Sequence, residues 1–262
     1  MTDDIDRYRA PALDKGLDVL ELLAGHEGGL SQAEIAKELG RSPSELYRMI
    51  DRLVRRGYLR RSPRDDRLML GLKLFALSTG HPPMRRLLQV AWEATQTVAE
   101  RTQQSCHLAL YRDGNLFVAV TADSPGRLGL GVRLGAPTDL LTTGSGDAML
   151  AFQSQARRAR MLAAHGGALD AAGLARLDEA RARGHVRRES RQLAGAVDLA
   201  FPVLGRTGDA VAALAIPYIR RLDPPDAPGE GACVAALGAA ARELSAELPD
   251  ASLAALGEED AA

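Results

Sequence analysis

The chain has 262 residues, enough for one large domain or two ordinary ones that bury a core without disulfide support. Its 33 Lys and Arg residues nearly balance 34 Asp and Glu residues, and the formal net charge of -1 excludes a uniformly basic DNA-coating protein. The two cysteines, Cys106 and Cys233, have no Cys or His neighbour at zinc-finger spacing. We therefore expect a protein of the reducing cytoplasm without cofactor, metal or disulfide framework.

The first residues and the apolar segments argue against export and membrane insertion. Asp3, Asp4 and Asp6 stand where a secretory signal would need basic residues. The most apolar windows are far shorter than the ~20 residues that a membrane-spanning helix requires. We expect no membrane anchor.

Charge is unevenly distributed along the chain. Residues 37–67 carry ten basic and five acidic side chains, whereas the stretch from Asp223 onward carries nine acidic side chains and the single base Arg242. This asymmetry indicates two separate roles, although a solvated arginine-rich helix face would give the same composition.

A first helix is predicted over residues 11–24, where apolar residues recur every three or four positions and Pro11 suits a helix start. We expect the apolar positions to form an amphipathic stripe. They are Leu13, Leu17, Leu20, Leu23 and Ala24.

Two capping boxes predict the next two helices, because Ser31 and Ser42 each precede a glutamate three residues further on. The first of these helices spans about nine residues and ends at Gly40. The other covers residues 43–56, with apolar side chains from Leu46 to Val54 on its buried face. Its opposite face carries Ser44, Glu45, Tyr47, Arg48, Asp51, Arg52 and Arg55.

A hairpin with a basic rim is predicted next. Residues 58–61 and 67–70 are short extended runs on either side of a polar turn that contains Pro63. Three helices followed by a two-stranded wing make a winged helix-turn-helix, whose third helix can enter the major groove of DNA. We expect this DNA-binding domain to span residues 10–70.

A helical linker over residues 71–82 ends in a breaker cluster that marks the predicted domain boundary. The long helix predicted over residues 83–102 has an apolar stripe that includes Trp92, which suits core packing or self-association.

The rest of the chain runs through strands, then helices, then strands and a terminal helix. This order implies an α+β domain over residues 83–248, with an antiparallel sheet flanked by helices, followed by a flexible acidic tail over 249–262. The predicted strands cover 106–111, 116–122, 128–134, 197–203 and 211–219, and the predicted helices cover 144–153, 154–164, 173–184 and 228–248.

Several short segments occur in a distinctive order and spacing. They include Ala12–Leu17, Ala33–Ala36, Tyr47–Arg48, Arg55–Leu59, Val132–Gly135, Gly146–Ala151, Ala200–Val203 and Ala212–Leu214. In these segments the chain resembles the IclR family of bacterial transcription regulators, from about Ala12 to Leu248. The resemblance implies a GAF-like effector-binding domain behind the winged helix, a homodimer or homotetramer, and a small-molecule effector that alters the affinity for operator DNA.

The resemblance also implies where the effector binds. In the family's pattern the corresponding positions here are Leu128, Gly144, Ser145, Asp198, Ala215 and Pro217.

Five positions depart from that pattern. Many members carry Cys at Asp198, carboxylate-binding members often carry serine at Ala215 and Pro217, and a common His and Lys are replaced by Leu141 and Asp147. These replacements remove hydroxyl donors and introduce possible acids, which disfavours a small carboxylate ligand. We expect a neutral or cationic, partly apolar effector, or a pocket that no longer needs one.

On the DNA side we expect a division of labour between phosphate contacts and base contacts. The helix N-terminus and its hydroxyl groups hold phosphates, Arg48 reaches guanine edges, and the wing arginines follow the backbone or the minor groove. Glu45 either accepts from a cytosine amino group or pairs with Arg41 or Arg48. The candidate DNA contacts are Ser42, Ser44, Glu45, Tyr47, Arg48, Arg52, Arg55, Arg61, Arg64 and Arg67.

The sequence gives only weak support for a catalytic site. Cys106 and His107 point to opposite faces of their strand, and the Gly144-Ser145-Gly146 loop lacks the outer glycines of a nucleophile elbow. We therefore expect no catalytic residue. A ligand-independent DNA-binding regulator and a metabolic enzyme with an appended DNA-binding module stay open as alternatives, as do repression and activation.

Overall fold

The computed structural model describes residues 10–222 and 227–248. The predicted tail over 249–262, the acidic N-terminal residues and residues 223–226 lie outside the described residues. Contacts along the chain divide it into two compact units that meet between His81 and Pro82. Among the described residues no helix is both long and apolar enough to cross a membrane.

The first unit is a winged helix-turn-helix, as the sequence predicts. The two wing strands pair antiparallel, with Leu59 opposite Leu70. A fourth helix follows the wing and has no buried residue. The elements are α1 Pro11–Ala24, α2 Gln32–Glu38, α3 Pro43–Arg55, β1 Leu59–Arg61, β2 Leu68–Leu70 and α4 Lys73–Gly80.

Both predicted capping boxes are confirmed. At the start of α2 the Ser31 hydroxyl accepts a hydrogen bond from the Glu34 backbone N–H, and the Glu34 carboxylate accepts from the Ser31 N–H. Ser42 and Glu45 make the same reciprocal pair at the start of α3. Each box satisfies two backbone donors that the helix itself leaves without partners, which fixes where the helix begins.

The apolar stripe of α1 differs in part from the prediction. Gly16, Val19 and Leu23 are buried, whereas Leu13 and Leu17 are 60% and 46% exposed. The buried positions follow a spacing of three and four residues, and Leu13 and Leu17 lie beside that stripe rather than within it. The core of this unit is therefore built around the other large apolar side chains, which include Leu30, Ile35, Leu46, Ile50, Leu59 and Leu68.

The second unit is an α+β domain around a six-stranded antiparallel sheet of order β5-β4-β3-β8-β7-β6. Two long helices pack on one face of the sheet and three shorter helices on the other, so two hydrophobic clusters lie on opposite sides of it. The strands are β3 Cys106–Arg112, β4 Asn115–Ala122, β5 Pro137–Thr138, β6 Val186–Glu189, β7 Ala196–Leu204 and β8 Ala210–Ile219. The helices are α5 Pro82–Thr102, α6 Gly144–Ala151, α7 Gln155–His165, α8 Ala171–Arg183 and α9 Glu230–Glu247.

The strand predicted over residues 128–134 is wrong. That segment is irregular, and the sheet edge beside β4 is formed by the two-residue strand β5. Glycine at every other position, as at Gly129 and Gly131, weakens a strand because it costs conformational entropy and supplies no side chain to pack. Part of the segment, from Leu130 to Arg133, borders a cavity.

Candidate nucleic-acid interface and ligand cavity

The outer face of α3 presents its polar side chains in rows. Ser44, Arg48, Asp51 and Arg55 follow one another at spacings of four, three and four residues, so they line one side of the helix. The buried Leu46 and Ile50 hold the opposite side in the core. Because these two buried side chains fix the orientation of α3, its polar row points away from the core.

The arginines of α3 differ in how their charges are compensated. The Arg55 Nε donates to both carboxylate oxygens of Asp51, at 3.1 and 2.9 Å. Arg48 and Arg52 are exposed, and within the described residues neither has a hydrogen-bond or ion-pair partner. Arg48 and Arg52 are therefore the α3 cations available to an external polyanion.

Glu45 is paired, but its partner differs from the expected Arg41 or Arg48. The Lys15 Nζ of α1 lies 3.1 Å from the Glu45 Oε1, while Arg41 pairs with Asp18 at 3.0 Å. The Ser42 N–H, followed by Lys15 and the Ser42 hydroxyl, lowers the Glu45 pKa to about 2. With its charge bound to the helix start and to Lys15, Glu45 adds less repulsion toward a phosphate than an isolated glutamate would.

The wing arginines also differ in whether a carboxylate compensates their charge. Arg61 pairs with Asp66 at 2.8 Å, and Arg67 lies 3.1 Å from Glu34 and donates to the Gly29 carbonyl. The Arg64 side chain, in the hairpin turn, is exposed and has no partner within the described residues. Of the predicted wing contacts, Arg64 alone combines exposure with an uncompensated charge in that part of the chain.

The hydroxyl groups predicted to hold phosphates lie near the start of α3. The Ser42 and Ser44 Oγ atoms are 3.1 Å apart, and Ser42 is already engaged as the helix cap. Tyr47, one turn after the start of α3, is 57% exposed. Ser44 and Tyr47 are thus the hydroxyls that can turn toward a ligand without loss of the N-terminal cap of α3.

A cavity of about 290 Å³ lies in the second unit. It is bordered by the N-terminus of α6, by strands β3, β7 and β8, and by the irregular segment that precedes β5. The effector positions implied by the resemblance meet here, with one exception. Those that line the cavity are Gly144, Ser145, Asp198, Ala215 and Pro217.

Leu128 is the exception. It is 79% exposed and does not line the cavity. Leu130 and Val132, further along the same segment, line it instead. The resemblance implies a lining residue near Leu128, and Leu130 is two positions further along the chain.

The sheet register explains why distant positions converge on this cavity. Asp198 lies directly opposite Pro217, and Ala215 lies between Ala200 on one side and His107 on the other. Side chains in register on neighbouring strands point to the same face of a sheet. One patch of three adjacent strands therefore forms the sheet side of the cavity.

Asp198 makes a close contact with the start of α6. Its Oδ2 accepts a hydrogen bond from the Gly144 N–H at 3.1 Å. A Cβ atom at position 144 would stand 2.6 Å from the Asp198 Cβ, so only glycine allows this approach. Burial raises the pKa of Asp198, an effect that the Gly144 N–H and the Ser190 hydroxyl oppose.

His107 is a polar cavity residue that the sequence analysis did not assign to the effector site. Its Nε2 lies 3.3 Å from the Ser145 Oγ, and its Nδ1 is buried without a partner among the described residues. Burial lowers the pKa of His107 to about 4, so the ring is neutral at physiological pH. The sequence signal that could have identified His107 is the alternation of side chains along β3. It puts Cys106 and His107 on opposite faces of the sheet, with Cys106 in the cluster on the far side from the cavity.

Asp147 and Leu141 do not line the cavity, contrary to the expectation of a pocket-side acid. The Asp147 carboxylate is buried, and its Oδ2 accepts from the Arg188 Nη1 at 2.6 Å and from the Arg176 Nε at 3.3 Å. Leu141 packs against the hydrophobic cluster that contains α6. Asp198 is consequently the acid that lines this cavity.

Within the described residues no group of three His, Cys, Asp or Glu side chains is arranged to hold a metal ion. Cys106 is packed in the core on the far side of the sheet, where burial raises the pKa of its thiol. The cavity thus offers hydrogen bonds, one carboxylate and apolar surface to a small molecule.

Comparisons with known proteins agree with both halves of this description. The IclR helix-turn-helix domain matches residues 12–63, and the bacterial transcriptional regulator IclR C-terminal domain matches residues 84–246. The chain is 26% identical to the glycerol operon regulatory protein of Streptomyces griseus over 225 residues, which cover 83% of this chain and 88% of that protein.

Solved structures show the same fold. An IclR transcriptional regulator from Alicyclobacillus acidocaldarius superposes with a TM-score of 0.74 at 22% identity, covering 94% of this chain and 100% of the other. An IclR homologue from Microbacterium hydrocarbonoxydans, complexed with 4-hydroxybenzoate, superposes with a TM-score of 0.75 at 22% identity, covering 90% of this chain and 98% of the other. With both domains matched in order, this chain belongs to the IclR family of DNA-binding bacterial transcriptional regulators.

Proposed function

We propose that this regulator binds operator DNA through α3 and the wing hairpin, and that a small molecule in the cavity of the second unit alters that binding. The site of action is the cytoplasm, where the bacterial chromosome lies. The chain acts by binding and does not turn its ligand over. Residues 10–70, within the first unit, are the DNA-binding domain, and residues 83–248 are the effector-binding domain.

The observation that carries the DNA-binding proposal is the pattern of compensated and uncompensated arginines. Arg48 and Arg52 on α3, Arg60 on β1 and Arg64 in the wing turn are exposed without partners in the described residues, whereas Arg55, Arg61 and Arg67 are paired. Phosphate neutralisation by free Lys and Arg side chains supplies most of the nonspecific affinity of a protein for DNA. Arg48, Arg52 and Arg64, which belong to the predicted contacts, are therefore candidate cations for contact with the duplex.

We assign different roles to these cations. Arg48 shares a helix side with Ser44 and Arg55 and is the candidate to donate to guanine O6 and N7. Arg64 lies in the turn of the wing hairpin and is the candidate for backbone contact. Arg55 and Arg61 are already paired with carboxylates, so their charges are partly compensated and contribute less.

The cavity favours a ligand-responsive regulator over a ligand-independent one. A volume of about 290 Å³ lined by a buried imidazole, a carboxylate and aliphatic side chains suits a small molecule. The unpartnered Nδ1 of His107 adds support, because buried polar atoms are normally hydrogen-bonded. The 4-hydroxybenzoate bound by the Microbacterium hydrocarbonoxydans homologue shows that a protein of this fold can take a small organic ligand.

Self-association of the chain is supported by exposed apolar side chains in the first unit. Leu13 and Leu17 on α1 and Phe75 on α4 are 60%, 46% and 68% exposed. Leu13 and Leu17 line one groove together with Leu20 and Leu74, and exposed apolar surface of this kind is typical of protein interfaces. Two copies related by a twofold axis would read an inverted-repeat operator with half-sites about one helical turn apart or a multiple of it.

The proposal is tested by selecting genomic fragments on the purified protein and footprinting the upstream region of its own gene. We expect protection of an inverted repeat and a change in occupancy with at least one member of a metabolite panel. Operator binding that no metabolite changes would favour the ligand-independent regulator. Turnover of a metabolite in the same panel would favour the enzyme alternative.

A further inference from the structure

The N-terminus of α6 faces an anion that belongs to the chain itself. Backbone N–H groups at a helix start are not bonded within the helix, and together with the helix dipole they attract negative charge. The Gly146 N–H is satisfied by the Thr143 hydroxyl at 3.1 Å, and the Gly144 N–H donates to the Asp198 carboxylate at 3.1 Å. The position that would bind an external carboxylate is thus occupied by a side chain from β7.

Little space separates this carboxylate from the helix. The Asp198 Cβ approaches position 144 so closely that a Cβ there would be only 2.6 Å away. The nearby Ser190 hydroxyl also favours the charged form and lowers the Asp198 pKa. The hydrogen bond from Gly144 and the close approach of the two Cβ positions make the carboxylate part of the cavity wall.

The surroundings leave the carboxylate without a full counter-charge. The buried Arg188 lies near it but is engaged by Asp147 at 2.6 Å and does not line the cavity. Among the described residues that line the cavity, the only cation is Arg133, which is exposed on the irregular segment. The raised pKa of Asp198, caused first by its burial, agrees with an under-compensated negative charge.

The His107 imidazole is a second polar group in the cavity wall whose hydrogen-bonding capacity is not fully used. The His107 ring is buried beside Ser145, and its Nδ1 has no partner among the described residues. The ring is neutral, so it offers a hydrogen bond without positive charge that could hold an anion. The remaining wall is largely aliphatic, with Leu130, Val132 and Ile216.

We propose that Asp198 takes the place of an anionic ligand at the N-terminus of α6, so that the cavity selects a small, partly apolar amine whose ammonium group pairs with Asp198. This inference rests on the proposed function only in taking the cavity as the effector site. Alcohols of the same shape bind more weakly because they lack the charge, and carboxylates bind most weakly because they meet Asp198. Removing the charge of Asp198 reverses the preference between amine and carboxylate.

The test compares three ligands of equal length, butylamine, butanol and butyrate, on the purified full chain. Dissociation constants from titration calorimetry and ligand-observed NMR are measured for the wild type and for Asp198→Asn, which keeps an oxygen acceptor for the Gly144 N–H. Glu189→Gln is the matched control, because it removes a carboxylate from the neighbouring strand β6 that does not line the cavity. Asp198→Ser is a second variant, and thermal unfolding establishes that every variant is folded.

In the wild type we expect butylamine to bind at least about tenfold more tightly than butyrate, with butanol between them. In Asp198→Asn butyrate should gain about tenfold and butylamine should lose about tenfold, whereas Glu189→Gln should match the wild type. Equal binding of butyrate and butylamine by the wild type, no reversal in the folded variants, or no binding of any of the three overturns the inference. Operator binding is measured separately, so a chain that prefers amines but binds no duplex contradicts the proposed function alone.

Discussion

The two candidate sites of this protein use charge in opposite ways. On α3 and the wing the important cations, Arg48 and Arg64, are exposed and unpaired within the described residues. In the second unit Asp147 is buried and Asp198 is partly buried in the cavity wall, and each accepts hydrogen bonds from the protein. The first arrangement suits a large polyanion that brings many weak contacts, and the second suits one small ligand.

This difference predicts different responses to substitution. An exposed charge contributes little to folding and acts mainly through its partner in solution, so its loss alters binding and the dependence of binding on salt. A buried charge must be compensated, so loss of its partner alters the folded state itself. The variants below test this contrast, beginning with the largest expected effect.

Asp147→Ala should lower the free energy of unfolding of the second unit by about 3–5 kcal/mol, because it leaves the buried Arg188 without its carboxylate. Chemical denaturation followed by circular dichroism measures the change. The matched control is Glu179→Ala, which removes the exposed partner of Arg183 and should cost at most about 0.5 kcal/mol. Equal losses in the two variants would mean that burial does not separate these ion pairs.

Arg48→Ala should cost about 1–3 kcal/mol of operator affinity and relax the preference at one base pair. Arg64→Ala should weaken binding to all sequences alike and reduce the slope of log affinity against log salt by about 1. Fluorescence anisotropy with operator and scrambled duplexes at several salt concentrations distinguishes the two effects. Identical behaviour of both variants would refute the assignment of Arg48 to bases and Arg64 to the backbone.

Ser42→Ala should lower the free energy of unfolding of the first unit by about 1 kcal/mol, because it removes the hydroxyl that caps α3. Ser44→Ala serves as the control, since the Ser44 hydroxyl lies next to Ser42 but does not cap the helix. Thermal unfolding gives the stability of each variant. The prediction fails if Ser44→Ala is as destabilising as Ser42→Ala.

The smallest predicted effects are changes of folding stability with pH. The pKa shifts of Glu45 in the first unit and Asp198 in the second have opposite directions. The folded pKa of Glu45, about 2, is below its ordinary value of 4.5, so its stabilisation is present above pH 4.5 and is lost as the pH falls toward 2. The folded pKa of Asp198 is above its ordinary value of 3.8, so its contribution is present below that value and is lost as the pH rises through the folded pKa.

Two variants check these signs. Asp198→Asn should raise the melting temperature of the second unit at neutral pH, and the gain should shrink on acidification toward pH 3.8. Glu45→Gln should instead lower stability at neutral pH and flatten the loss of stability on acidification. A gain from Asp198→Asn that grows on acidification would contradict the burial of that carboxylate.

The sequence predicts the first unit well because its signals are local. The capping boxes at Ser31 and Ser42 each involve residues three positions apart, and the wing strands are separated by one short turn. Local patterns say less about which partner a charged side chain selects. Lys15 pairs with Glu45 across 30 positions of sequence, and no spacing rule indicates that choice.

The cavity is harder to predict because its parts are far apart along the chain. His107, Ser145 and Asp198 meet only after β3 and β7 have paired on either side of β8 and α6 has packed on the sheet. The resemblance supplied Ser145 and Asp198 but not His107. Strand β6, Val186–Glu189, was missed because three of its residues are charged, and only the folded chain shows that Arg188 is neutralised by Asp147.

The central claim is that the surface from Ser42 to Arg67 binds duplex DNA with sequence preference. Its most direct test is a competition titration of the full chain, at moderate salt, between a selected genomic duplex and random duplex. We predict at least about a thousandfold preference for the selected duplex, greatly reduced by Arg48→Ala. Equal affinity for both duplexes, in the presence and absence of the metabolite panel, would contradict the account.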